Sequence, residues 1–266
     1  MFGLQNYFPK ETFKKNFLRS VSVRAEYAEN SKITAAREQF KTLYADVMPR
    51  IEDMPSTHIN FTNDNITICN ENEDHKLSLR SEDLKREITL TNNFCNYLIL
   101  GGDTYVNSEE LDLHFGKAAV FLNSCGTTDI KMLTAKKVNM VHFASSSNGK
   151  VKKVNIPRFA PLQQLISPEF LSHLDTIHSI NPFIKQNINT LVLQDGGYIL
   201  TLKYGIDITE VNADGTIHGD IIIDIMIQKQ GVKVDNVQAE LKVFHQELYN
   251  AFRWVLSDYT IKTLNS

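Results

Sequence analysis

Between positions 198 and 208 the even residues are Tyr198, Leu200, Leu202, Tyr204, Ile206 and Ile208, with Thr201, Lys203, Gly205 and Asp207 among the odd ones. A period of two belongs to a strand with one buried face. Residues 217–229 repeat it in the opposite phase: Ile221, Ile223, Ile225 and Ile227 fall on one side, Asp220, Ile222, Asp224 and Met226 on the other. Asp214-Gly215 between them suits a two-residue turn, because both residues tolerate positive φ. That turn pairs Ile208 with Ile221, Ile206 with Ile223, Tyr204 with Ile225 and Leu202 with Ile227, so turn chemistry and hydrophobic pattern choose one register. Asp195-Gly196-Gly197 closes a preceding hairpin that brings Leu191 and Leu193 onto Tyr198 and Leu200, whether the loop is Asp195-Gly196 or Gly196-Gly197. Three strands then share an apolar face that needs a cover. A helix running to residue 264 supplies it, with Val237, Leu241, Phe244, Leu248, Phe252, Val255 and Tyr259 at spacings of three and four and Asp235 or Asn236 as N-cap.

Upstream the signals are shorter. Phe17, Val21, Val23, Ala25 and Tyr27 alternate with polar residues as a half-buried strand. A helix is expected over 34–48, with Phe40, Leu43, Tyr44 and Val47 inward and Pro49 as its stop. Short strands follow near 58–61, 66–70, 76–79 and 87–91, the acidic run Glu71-Asn72-Glu73-Asp74 reading as a solvated turn. A strand or strand end covers 97–105. Asn107 and Glu110 form a capping box for a helix to about residue 122, striped by Leu111, Phe115, Ala118, Ala119 and Leu122. A long strand spans 130–143, 168–174 reads as a short helix, and 177–184 is extended.

Ser145-Ser146-Ser147-Asn148-Gly149-Lys150 is the most linker-like segment. It divides the chain into an N-terminal α+β subdomain, 1–150, and a C-terminal meander with its long helix, 151–266. The expected fold class is therefore α+β: antiparallel meander sheets, each covered by helices, in two packed subdomains.

Composition narrows the setting more than the fold. The chain has 266 residues, 42% of them hydrophobic, so it can bury a sizeable core. A formal charge of -3 gives no electrostatic reason to expect nucleic acid or an anionic membrane. Three separated cysteines, Cys69, Cys95 and Cys125, argue against a disulfide framework and for a reducing compartment. No apolar run approaches the ~20 residues that span a bilayer, and the first 15 residues lack the apolar centre of a signal peptide, so a cytoplasmic location is expected. The sequons at Asn60 and Asn65 then read as chance.

Several short motifs carry a resemblance. Phe17-Leu18-Arg19-Ser20-Val21-Ser22-Val23 opens the chain with a strand, and Lys136-Lys137-Val138-Asn139-Met140 sets a basic residue ahead of Asn in mid-chain. Ile221-Ile222-Ile223-Asp224-Ile225 is an aliphatic strand containing Asp. Phe244-His245-Gln246-Glu247-Leu248-Tyr249-Asn250-Ala251-Phe252 lies on the closing helix. Over nearly its whole length the chain resembles a family sporadically distributed among bacteria and archaea whose members have no established activity. The resemblance implies a prokaryotic protein, hints at accessory systems such as phage defence, and lends no reaction, cofactor or catalytic residue.

The residues themselves offer little chemistry. His245-Gln246-Glu247 has the form of a zinc-deaminase helix but lacks a downstream Cys-x-x-Cys. His173 and His178 are five apart, not on one helical face, and no His-Glu-x-x-His, phosphate-cradling Gly loop or Gly-x-Ser-x-Gly elbow occurs. Asp207, Asp220 and Asp224 share the non-core face of the 198–229 hairpin. They could bind a divalent cation, although Lys203, diagonal to Asp224, favours an ordinary cross-strand ion pair. Asp224 and His245 are the polar positions where resemblance and pattern coincide, and Trp254, off the main helical stripe, is a candidate contact residue. The expectation is a non-enzymatic binding or scaffolding protein with a protein partner, free of cofactor and metal. Exposed edge strands or the Trp254 face would be the docking surfaces, and self-association is possible. The alternative is a metal-dependent hydrolase or nuclease using the Asp cluster. A third reading, nucleic-acid binding through Lys131, Lys136, Lys137, Lys150, Lys152 and Lys153, is disfavoured by the net charge.

Overall fold

The computed structural model describes residues 2, 4, 13, 17–62, 65–105, 107–145, 164–171, 185–213 and 217–266. Nine strands are β1 (Leu18–Tyr27), β2 (Arg50–Thr62), β3 (Asn65–Arg80), β4 (Arg86–Leu90), β5 (Phe94–Leu100), β6 (Asp129–Ser145), β7 (Gln186–Asp195), β8 (Tyr198–Val211) and β9 (Ile217–Lys233). Five helices among the described residues are α1 (Ser31–Ala35), α2 (Arg37–Tyr44), α3 (Ser108–Ser124), α4 (Val237–Val255) and α5 (Asp258–Asn265). The strands form one antiparallel sheet in the order β2-β3-β4-β5-β1-β6-β9-β8-β7. The architecture is mixed α and β, with more strand than helix. The chain divides into two compact units, one of Met1–Arg19, Lys136–Ile227 and Phe244–Ser266, the other of Ser20–Ala135 and Gln228–Val243. The linker-like stretch from 146 to 150 lies outside the described residues, as do 177–184 and the 214–216 turn.

In the first unit the period-two pattern sets the burial. Leu200, Leu202, Tyr204, Ile206 and Ile208 of β8 are buried, as are Ile221, Ile223, Ile225 and Ile227 of β9. The β7–β8 hairpin turns at Gly196-Gly197, both at positive φ (54° and 85°), which pairs Leu193 with Leu200 and Leu191 with Leu202. Gly205 is required here for another reason: a Cβ on it would lie 2.0 Å from the Asn187 carbonyl oxygen, so β7 runs against backbone. Phe244 and Leu248 of α4 are buried, and the Phe244 ring meets Tyr198 at 6.2 Å between centroids, placing the helix over the hairpin. Tyr204 donates to the Phe170 carbonyl at 3.1 Å.

The helix does not run unbroken to residue 264. It stops at Val255, and a new one starts where Ser257 Oγ accepts from the Thr260 amide at 3.2 Å. Ser257 is a good N-cap, and the change of axis leaves Tyr259 53% exposed rather than on the buried stripe.

In the second unit β1 buries Val21, Val23, Ala25 and Tyr27 and pairs with β5. The short strands expected over 58–61, 66–70 and 76–79 are parts of one long hairpin, β2 with β3. Glu71–Asp74 is not its turn: the register shifts between Pro55 and Thr57, and these four residues fall in the gap between Asn70 and His75. The helix expected over 34–48 is two short ones, α1 capped by Asn30, whose side chain accepts from Lys32 N. Only half of its assigned inner face is inner: Phe40 and Tyr44 are fully buried, but Leu43 and Val47 are exposed. Asn107 caps α3 through the Glu109 amide at 2.9 Å, yet Glu110 does not complete a capping box. Its carboxylate accepts instead from the Arg86 guanidinium and from Tyr97 Oη at 3.2 Å, tying the first turn of α3 to the sheet. Tyr27 and Tyr44 likewise donate their hydroxyls, to Thr91 O at 2.9 Å and His114 O at 2.6 Å. Among the described residues no helix is long and apolar enough to cross a membrane.

Candidate functional site

Two of the three acids singled out from the sequence face side chains of a neighbouring strand. Asp224 pairs with Lys136 of β6 at 2.8 Å, and Asp220 with His142 of the same strand. These contacts step up β6 as they step down β9, as antiparallel neighbours must. The expected partner Lys203 is exposed on β8, on the far side of β9 from β6. Asp207 is half buried on the non-core face of β8. Among the described residues no group of three or more His, Cys, Asp or Glu side chains is placed to hold a metal ion. His245 is buried at 2% exposure inside α4, one position from Phe244. Trp254 is half buried with its ring edge-on to Phe170, 4.6 Å between centroids, and Phe170 in turn meets Tyr204 at 5.2 Å. Of the basic set, Lys136 is committed to Asp224, and Lys150, Lys152 and Lys153 lie outside the described residues.

The second unit also carries a largely apolar groove. It has a volume of about 440 Å³, is open to solvent, and is lined by Gln39 and Leu43 of α2, by Leu113, Gly116, Lys117, Val120, Phe121 and Ser124 of α3, and by Gln238 of α4. The two helices that frame it are held from behind. Phe40 stacks edge-on against Phe121 at 4.8 Å, and the Tyr44 hydroxyl reaches the α3 backbone at His114. With the helices fixed by that inner layer, Leu43 (37% exposed), Leu113 (57%) and Val120 (71%) face outward into the groove.

Gly116 leaves room for the side chain of Gln238, whose amide end lies where a Cβ would sit. A mid-helix glycine costs about 1 kcal/mol against alanine, and the nearest atoms here belong to the exposed, movable Gln238 side chain. Lys117 is the sole charged residue of the lining and forms no ion pair among the described residues. On the inner face of α3, burial, followed by the charge of Lys117, holds the His114 imidazole below its usual pKa. It stays neutral between the rings of Tyr44 and Tyr97, 6.2 and 5.5 Å away.

No protein-family model matches this chain, and no curated protein matches it. The groove is a largely apolar trough about two helical turns long, with Gln39, Ser124, Gln238 and one ammonium group, that of Lys117, on its lining.

The sequence held a signal for it. Leu113 and Val120 are seven apart, with Gly116 and Lys117 between them at the intermediate helical positions, which makes a second apolar stripe on α3. The inner stripe of Leu111, Phe115, Ala118 and Leu122 sufficed to make a helix, and the residues left over looked like ordinary surface.

Proposed function

We propose that this protein is a binding or scaffolding module of the cytoplasm that engages a protein partner through the α2–α3 groove. The reading extends to the family resemblance in Phe17–Val23, Lys136–Met140, Ile221–Ile225 and Phe244–Phe252, and to the accessory role that it implies. The observation that carries it is the row of exposed Leu43, Leu113 and Val120 over the floor at Gly116. Apolar residues grouped in a concave surface mark interaction sites, whereas single exposed ones do not. The occupant with matching chemistry is an amphipathic helix: apolar anchors at i, i+3, i+4 and i+7 to fill the trough, and an acidic residue beside them to meet Lys117. Asp220 and Asp224, engaged with His142 and Lys136, give a metal-dependent hydrolase no comparable support.

The test compares the wild type with a Leu113→Glu/Val120→Glu variant and with Lys117→Glu, as baits in lysate of the native host. A protein retained by the wild type and lost with both variants is the expected result. The helical segment of that protein should then bind the purified full chain in calorimetry, gaining helicity as it does so, and Lys117→Glu should weaken this at least several-fold. Identical sets of captured proteins for all three baits would overturn the reading. Leu113 and Val120 are exposed and Lys117 is half buried, so unchanged thermal unfolding of the variants separates lost binding from lost fold.

A further inference from the structure

The strand β7 ends the sheet order, and no described strand lies beyond it. Natural edge strands are blunted by proline, lysine, bulges or shortness, because an open row of N–H and C=O groups recruits other strands. The other terminal strand, β2, carries Pro55 and a register shift. None of these devices occurs in β7. It is ten residues long, pairs with β8 without interruption from Gln186↔Asp207 to Asp195↔Tyr198, and contains no proline or lysine. Its one charge, Asp195, is its last residue. Ile188 and Val192 on its outer face are 38% and 57% exposed.

The order of residues on that outer face specifies a partner. Gln186, Ile188, Thr190, Val192 and Gln194 all point the same way, since alternate residues share a face. Laid antiparallel against a second copy with the two-fold axis at Thr190, the face reads identically in both directions. Gln186 meets Gln194, Ile188 meets Val192, and Thr190 meets itself. Amide faces amide, aliphatic faces aliphatic, and no charge opposes a like charge, which is the self-complementarity a two-fold contact requires. Moving the axis to Leu191 would set Ile188 against Gln194 and Thr190 against Val192, losing the match. On the other face Asn187 would oppose Leu193 and Asn189 would oppose Leu191, all four already half buried within each copy. The face exposed to solvent therefore decides the register.

We infer that β7 pairs with β7 of a second copy of this chain, antiparallel and centred on Thr190, joining two sheets edge to edge. One strand per copy is a small interface, so the dimer dissociates on dilution. This inference stands on a different unit from the groove and is independent of the proposal made there.

Sedimentation of the full chain over a concentration series, with the charge variants Ile188→Lys/Val192→Lys and Ile188→Glu/Val192→Glu, tests it. The wild type should show a monomer–dimer equilibrium. Each variant alone should be monomeric, because every lysine or glutamate would face its like across the axis. An equimolar mixture of the two should dimerise again, since each pair now joins opposite charges. Separately, Thr190→Cys under mild oxidation should cross-link to itself far faster than Val192→Cys, whose counterpart across the axis is Ile188. A monomeric wild type at the highest soluble concentration, dimers that persist in either charge variant, or a mixture that stays monomeric would each overturn the inference. Preferential self-linking of Val192→Cys would overturn the register.

Discussion

Helices α3 and α4 have nearly the same length but divide their apolar residues differently. In α4 Val237, Leu241, Phe244, Leu248 and Val255 are buried, Val243, Phe252 and Trp254 are half buried, and even its polar His245, Glu247 and Asn250 are drawn inward. In α3 the inner stripe is equally buried, but Leu113 and Val120 stand exposed on the other side. One helix spends its hydrophobicity on folding. The other keeps a part that folding does not use, and a part of that kind is free to serve binding.

Four substitutions would break or sharpen this contrast. Phe244→Ala removes a fully buried ring and should cost about 3–5 kcal/mol in denaturant unfolding, whereas Leu113→Ala should stay within about 0.5 kcal/mol. Comparable losses at the two sites would erase the distinction. Next in size is Arg86→Gln, which leaves the half-buried Glu110 carboxylate with Tyr97 as its remaining side-chain donor. A lost bond to a charged group costs about 1.5–3 kcal/mol, read as a lowered midpoint with α3 amides exchanging first.

Then comes His114, whose folded pKa lies below its unfolded value because burial and Lys117 disfavour the charged imidazole. The unfolded state binds more protons below about pH 6.5, so the stability this residue contributes is complete above that pH and declines as the pH falls. His114→Phe should flatten that acid limb in a pH series of unfolding midpoints, and an unchanged slope would show that the imidazole is not its source. The smallest effect is expected at Gly116. Alanine there strikes only the amide end of the exposed Gln238, which can swing aside, so the gain in helix propensity of up to about 1 kcal/mol should surface as a slightly raised Tm. The same methyl group shallows the groove and should weaken the partner helix that the groove is proposed to bind.

The contrast also explains which parts of the fold were legible beforehand. The buried faces of β8 and β9 follow from strand periodicity, helped in β9 by Asp220 and Asp224 on the side shared with Ile222 and Met226, and that of α4 follows from its three-four spacing. The helix break at Ser257 was written in an N-cap residue, but the continuing three-four spacing through Tyr259 masked it. The helical spacing of Leu43 and Val47 predicts an inward face because apolar residues so spaced are ordinarily core, and the pattern cannot say when a helix has two apolar sides. Asn- and Asp-rich stretches read as turns, so the long β2–β3 hairpin was divided into fragments. The partner of Asp224 comes from β6, at Lys136, a pairing that the local sequence of the hairpin does not encode.

Tyr27, Tyr44 and Tyr204 hand their phenolic hydrogens to backbone carbonyls and Tyr97 hands its own to a carboxylate, and burial raises all four pKa values. An unfolded chain would ionise these phenols near pH 10, so the native state binds protons there that the denatured state has released. The molecule thus carries its own optical gauge. In an alkaline titration followed in the ultraviolet, the surface phenols should colour first, and the absorbance of these four should arrive late and together, at the moment the sheet gives way.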